Sequence, residues 1–175
     1  MADNVEFESL VARYYEPLYK FAFSLARDEP DACDLTQQTF CIWAAKGHQL
    51  RDVTKVKTWL FTTLHREFLG IRRKQTRFPQ VELKEAAPEL PAVSPAAISR
   101  LDTGQMLDAL ARMDDVYQAP VALFYLEDHS YNEIAEILKV PLGTVKSRLA
   151  RGIGQLQQLL ARDIAAGRNP QPPTL

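Results

Sequence analysis

Apolar residues recur at three- and four-residue steps along most of this chain, and no stretch shows the period-two alternation of a half-buried strand. Phe7, Leu10, Val11, Tyr14, Leu18, Phe21, Ala22 and Leu25 make one stripe, which predicts a long helix ending near residues 28–30. A second helix is predicted over about residues 31–46, stopped by Gly47, and a third over about residues 58–74. A loop at residues 47–57 joins them. From residue 78 to 99 the period is lost, and Pro79, Pro88, Pro91 and Pro95 rule out a continuous helix. This segment reads as an extended linker, able to reach about 68 Å at ~3.1 Å per residue. Helices resume at about residues 101–112 and 118–126. After Asp163 a tail with Pro170, Pro172 and Pro173 is expected to be disordered. The pattern predicts an all-α chain of two small helical domains joined by a proline-containing linker, each domain folding on its own.

Residues 130–160, SYNEIAEILKVPLGTVKSRLARGIGQLQQLL, predict two helices joined by a tight turn. Ser130 and Glu133 form an S-x-x-E capping box at the start of the first. Ile134, Ala135, Ile137 and Leu138 give that helix an apolar face, and a turn is expected at Lys139 and Val140, with Pro141 in the first turn of the next helix. Val145, Leu149, Ile153, Leu156 and Leu160 then face a core, leaving Thr144, Lys146, Ser147, Arg148 and Arg151 for solvent or a ligand. A short helix buttressing one that carries hydroxyls and cations fits a helix-turn-helix that reads the major groove of DNA. Gly152 and Gly154 weaken the second helix by ~1 kcal/mol each relative to Ala, so it is expected to fray beyond Arg151.

The formal net charge of −1 conceals a segregated pattern. Residues 51–77 hold eight bases and two acids, and residues 139–162 hold five bases and no acid. The intervening and N-terminal stretches are acidic. Two basic blocks in an acidic chain point to two separate contacts with a polyanion. Cys33 and Cys41, eight residues apart on one predicted helix, would lie about 12 Å apart along its axis, too far for a disulfide, so reduced thiols are expected. His48, His65 and His129 show no zinc-site spacing, and no metal or cofactor is expected. Neither a ~20-residue apolar run nor a signal peptide is evident, so the chain is expected to be soluble and cytoplasmic, without membrane insertion.

Helical wheels sort the remaining candidates. On the second helix Leu35, Thr39, Phe40, Ile42 and Trp43 gather on a core side, while Asp34, Gln37, Gln38, Cys41 and Ala45 gather opposite. On the third, Leu60, Phe61, Leu64, Phe68 and Ile71 face a core, and Trp59, Thr62, Thr63, Arg66 and Arg73 fall on the other side. That side adjoins the loop cations Arg51, Lys55 and Lys57. An aromatic ring among cations and hydroxyls can stack on an unpaired base while its neighbours hold phosphates. A solvated basic face with Trp59 capping the core is the plainer alternative. Phosphate-loop, nucleophile-elbow and H-E-x-x-H patterns are absent, so catalysis finds no support and no catalytic residue is expected.

Together these segments resemble a bacterial RNA polymerase sigma factor of the extracytoplasmic-function (ECF) group, within the sigma-70 family. Three motifs carry the resemblance, which covers about residues 7–77 and 101–160. Residues 31–40, DACDLTQQTF, resemble a D-A-x-D-L-x-Q-x-x-F helix that docks on the clamp helices of the polymerase beta-prime subunit. Residues 57–61, KTWLF, resemble the opening of the helix that recognises the promoter −10 element. Residues 130–138 with 143–149, SYNEIAEIL and GTVKSRL, resemble the helix-turn-helix that reads the −35 element. The resemblance implies polymerase contact by Asp34, Gln37, Gln38 and Cys41, with the beta flap as a second contact. It implies −10 DNA contact by Arg51, Lys55, Lys57, Trp59, Thr62, Thr63, Arg66 and Arg73, and −35 contact by Thr144, Lys146, Ser147, Arg148 and Arg151. Gln38 stands where the family has Glu, His65-Arg66 replaces a common Arg-Asn, and Lys139 replaces the turn glycine. The implied organisation is a region 2-like domain at 1–77, a linker at 78–99, a region 4-like domain at 100–163 and a tail at 164–175. Core RNA polymerase, promoter DNA and an anti-sigma factor are the implied partners. Two other readings remain: a helix-turn-helix regulator acting without polymerase, and a scaffold that sequesters a partner through Asp34, Gln37 and Gln38.

Overall fold

The computed structural model describes residues 2–75 and 103–167. The expectations for the linker at 78–99 and for the tail beyond 167 lie outside the described residues. In order, the chain forms α1 (Ala2–Ala26), α2 (Glu29–Lys46), two short 3-10 turns (Gly47–Gln49 and Val53–Lys55) and α3 (Val56–Gln75). The second half forms α4 (Thr103–Ala111), α5 (Asp115–Glu127), α6 (Tyr131–Leu138) and α7 (Leu142–Ala165). The regular structure of the described residues is entirely helical.

The break between α1 and α2 is local chemistry. Arg27 turns left-handed at φ 61°, and the Asp28 carboxylate caps α2 by accepting the Asp31 N–H. Leu18, Phe21, Ala22 and Leu25 of α1 then meet Leu35 and Phe40 of α2 and Leu60, Phe61 and Leu64 of α3 in a buried three-helix core. Phe21 and Phe61 pack with ring centroids 5.4 Å apart. Ile71, expected on the core side, is 44% exposed. It lies one turn beyond Phe68, beside Leu25 and Arg72 at the mouth of a shallow groove.

The fifth helix begins at Asp115, a turn earlier than expected. The Asp114 carbonyl accepts the Tyr117 and Gln118 N–H groups and so starts the helix before Pro120 can interrupt it. The last helix does not fray at its glycines but runs unbroken to Ala165. The reason is packing. A Cβ on Gly152 would lie 2.5 Å from Val121 Cγ2 and 3.0 Å from Tyr117 Cβ, so the missing side chain is what lets α7 lie close against α5.

The two units, each expected to fold on its own, pack against one another in the structure. Their buried residues form one continuous apolar cluster, with α5 against α1 and α6 against α3. The Phe61 ring meets the His129 ring edge-on at 4.8 Å, both essentially fully buried. A pattern of helical periodicity cannot reveal this, because a residue facing its own core and one facing a second unit are equally apolar.

Candidate nucleic-acid interface

The helix-turn-helix is built by three local devices. The Ser130 hydroxyl accepts the Glu133 N–H and opens α6, while the Glu133 carboxylate sits 2.9 Å from His129 Nδ1. Lys139 closes α6 in the left-handed region at φ 54°, where a side chain costs about 1 kcal/mol relative to glycine. The Pro141 carbonyl then accepts Thr144 and Val145 N–H groups to begin α7. Val145, Leu149, Leu156 and Leu160 are buried. Lys146, Ser147 and Arg151 are exposed, and Thr144 and Arg148 are half-buried, so all five expected side chains lie outside the buried stripe of α7, with Lys146 on the opposite flank from Thr144 and Arg148.

A second surface forms where α2 ends and α3 begins. A cleft of about 540 Å³ is walled there by Trp59, Thr62 and Arg66 of α3 and by Lys46 of α2, with Glu136 and Lys139 contributed by α6 and the turn after it. Trp59 is half-buried, its ring edge-on to Trp43 at 5.1 Å. Trp43 is fixed in turn by Gly47: a Cβ there would come within 2.6 Å of the indole, so only glycine admits the ring. Arg51, Arg66 and Arg73 are exposed. Lys55 Nζ lies 3.3 Å from Glu136 Oε1, and Lys57 Nζ donates to the Glu127 carbonyl at 2.7 Å.

Thr63 is corrected. Its residue is only 3% exposed, because the 100° helical step places it about 60° from Leu60, on the shoulder of the buried stripe. Thr62 stays accessible, though its hydroxyl donates back to the Thr58 carbonyl at 2.7 Å. Burial pushes the His65 imidazole down to about 4, so the ring is neutral at pH 7 and the positive charge of the His65-Arg66 pair rests on Arg66.

On α2, Asp34, Gln37, Gln38 and Cys41 are all exposed on one face. Behind them the Thr36 and Thr39 hydroxyls are buried and donate to the Ala32 and Leu35 carbonyls, both at 2.8 Å. Phe40 is buried under Phe7 and Tyr15, with ring centroids 6.5 and 6.3 Å away. Cys33 is half-buried, and neither cysteine forms a disulfide. Among the described residues no three His, Cys, Asp or Glu side chains gather as metal ligands would, and no described helix is long and apolar enough to cross a membrane.

Two family profiles match the chain: Sigma-70 region 2 over residues 10–78, and Sigma-70, region 4 over residues 103–156. A solved sigma factor RpoE from Bartonella quintana, crystallised with the anti-sigma factor NepR, superposes with a TM-score of 0.70 at 30% identity, covering 90% of this chain and 98% of that one. The chain belongs to the sigma-70 family. Within it the resemblance is to the ECF group. ECF RNA polymerase sigma factor SigE of Mycolicibacterium smegmatis is 32% identical over 159 residues, and this chain spans 62% of its length. ECF RNA polymerase sigma factor SigM of Bacillus subtilis is 28% identical over 163 residues and is covered to 96%.

The Trp59 cleft and the exposed α2 face therefore lie in sigma-70 region 2, and the α7 face in region 4. Sequence reasoning missed four residues at the cleft. Trp43 was expected in the core, yet it braces Trp59. Lys46 closes one side of the cleft, and its place as the basic residue in the last turn of α2 was the available signal. Glu136 and Lys139 reach the cleft from region 4, for which no local signal exists.

Proposed function

We propose that this chain is a transcription initiation factor with no catalytic chemistry of its own, which works in the cytoplasm by joining core RNA polymerase and directing it to promoters. The region 4-like unit, residues 100–163, reads the −35 element through Thr144, Lys146, Ser147, Arg148 and Arg151. The region 2-like unit, residues 1–77, engages the −10 element. There Arg51, Lys55, Lys57, Arg66 and Arg73 hold the backbone, Thr62 lines the cleft, and an unpaired base stacks on Trp59. Asp34, Gln37, Gln38 and Cys41 dock on the beta-prime clamp helices, and the region 4-like unit takes the beta flap. An anti-sigma factor is a further partner, by analogy with the NepR complex of RpoE.

The observation that carries the reading is the pairing of two unlike cationic surfaces in one chain: an open helix face suited to a groove, and a tryptophan-walled cleft suited to an unstacked base. A polymerase-independent regulator has use for the first and none for the second. The test is transcription by core polymerase with this protein from a promoter library. Permanganate reactivity of unpaired thymines reads opening, and gel shift reads closed-complex affinity. Trp59→Ala reduces opening more than closed-complex formation, and Lys146→Ala does the reverse. Equal losses in both assays for both variants would sink the division of labour.

A further inference from the structure

The Trp59 cleft concentrates positive charge around one aromatic ring. Lys46 from the end of α2, Lys55 from the loop, Arg66 from α3 and Lys139 from the turn after α6 all line it, against the single carboxylate of Glu136. Little of that charge is neutralised within the chain. Lys55 Nζ lies 3.3 Å from Glu136 Oε1 with both side chains half-exposed, and Arg66 reaches Glu67 only at 3.9 Å. The ammonium groups of Lys46 and Lys139 have no ionic or hydrogen-bonding partner among the described residues.

Lys139 occupies its place under strain. Its backbone is left-handed, at φ 54° and ψ 48°, where glycine is relaxed and a side chain is not. Asp128 and Arg27 are the other non-glycine residues at positive φ among those described. Aspartate tolerates this region, and the Arg27 guanidinium is tied to the Met113 carbonyl and to Asp115. No such tie holds Lys139, whose side chain instead lines the cleft. Backbone strain persists where the strained residue is put to use.

Size and charge together define the occupant. A volume of about 540 Å³ falls among small-molecule sites, which span about 300–1,000 Å³. Trp59, half-buried and set edge-on against Trp43, supplies an aromatic wall. A DNA strand brings one negative charge per nucleotide, which does not match an excess of three positive charges around one ring. A nucleoside triphosphate carries several negative charges on a single base, and does match it. We propose that the cleft is a binding site for a free nucleoside triphosphate, its base stacked on Trp59 and its phosphates held by Lys46, Lys55, Arg66 and Lys139. The nucleotide and a −10 base use the same ring and so compete for it. The site itself stands on the geometry and charge of the cleft, independently of the −10 assignment.

ATP titrated into the full chain tests this, with tryptophan fluorescence as the readout. The chain has two tryptophans, Trp59 lining the cleft and Trp43 packed against it, so a stacked base is reported where it binds. ATP is expected to quench saturably, and inorganic tripolyphosphate to bind about tenfold more weakly because it lacks the stacked base. Lys139→Gly is the deciding variant. It removes a cation and relieves the left-handed strain at once, so the free protein should melt at a higher temperature while its ATP affinity falls about tenfold. A damaged fold cannot give that pair of results. Lys74→Ala, at an exposed cation of α3 outside the cleft, should leave ATP affinity as it was. Absence of saturable quenching overturns the site, and tripolyphosphate binding as tight as ATP binding overturns its nucleotide character. Unchanged affinity in Lys139→Gly, or an equal loss in Lys74→Ala, overturns the assigned contacts. The −10 reading fails separately: with core polymerase present, equal binding of the −10 strand before and after Trp59→Ala removes that assignment whatever the ATP titration shows.

Discussion

Gly152→Ala separates two effects of opposite sign in the helix that carries the −35 face. In an open helix interior the change gains about 0.8–1.0 kcal/mol from backbone entropy. At this position the new methyl would come 2.5 Å from Val121 Cγ2, 3.0 Å from Tyr117 Cβ and 3.6 Å from Met113 Cε. Val121 is fully buried and β-branched, so its methyl cannot rotate aside cheaply. Overpacking by one methyl in such a site costs about 1–3 kcal/mol, which outweighs the propensity gain and leaves a net loss of about 0–2 kcal/mol. Gly143 supplies the control, because nothing lies within 4 Å of a Cβ there and Gly143→Ala on the same helix should stabilise. Urea denaturation of both variants reads the packing effect as their difference, about 1–3 kcal/mol. Adding Val121→Ala to Gly152→Ala should recover part of the loss, with a coupling of about 1 kcal/mol in the double-mutant cycle. The same variant should weaken −35 duplex binding, because a shifted α7 carries Lys146 and Arg148 with it. Two equally stabilising alanines and a cycle that closes within about 0.3 kcal/mol would show that the close approach of α5 and α7 is not what holds this helix.

Burial pushes the Glu127 carboxyl up from 4.5 to about 7, against the opposing pull of Lys57 and Lys20 and with Asp128 and Glu16 adding to the rise, so the packed form is increasingly penalised as pH climbs from 4.5 through 7. Glu127→Gln should therefore raise the melting temperature at pH 8, by about 1–3 kcal/mol of stability, and change it little at pH 4.5; an equal gain at both pH values would reject the charge as the cause. The neighbouring His129 titrates the other way, its pKa lowered by burial so that stability is lost as pH falls below 6.5, but this cancels when variant and parent are compared at one pH. Gln37→Arg should weaken binding to core polymerase without unfolding the protein, since a long cation must be desolvated to enter a contact made by short polar groups; titration of labelled protein against core checks this. Lys146→Ala should weaken −35 binding across all sequences and flatten the salt slope by about one unit if it holds a phosphate. Arg148→Ala should instead cost about 1–3 kcal/mol at one base position if it reads a guanine edge, and binding curves on a promoter library at two salt concentrations distinguish these outcomes.

The helices were legible because each is an amphipathic pattern of ordinary length with local start and stop signals. Ser130 caps where its side chain predicts, and the acid-free face of α7 is accessible as its wheel requires. The exposed set Asp34, Gln37, Gln38 and Cys41 was readable for the same reason: a helix face is fixed by a 100° step and needs no knowledge of its neighbours. Thr63 and Ile71 were misplaced because each stands at the border of a stripe, where exposure depends on how far the packed partner extends.

What the sequence determined by itself is the all-α character, the order of the helices, the two basic blocks and the motifs that mark the family, all of which are written in spacings of a few residues. Only the tertiary structure decided that Gly152 is a packing requirement and not a weak point, that Trp43 braces Trp59, and that α6 reaches the cleft beside it. These depend on contacts between residues up to about ninety positions apart, such as Arg27 with Asp115. Periodicity records which face of a helix is apolar, but the identity of the surface it meets is set by shape and charge complementarity between distant elements, and no local pattern encodes that.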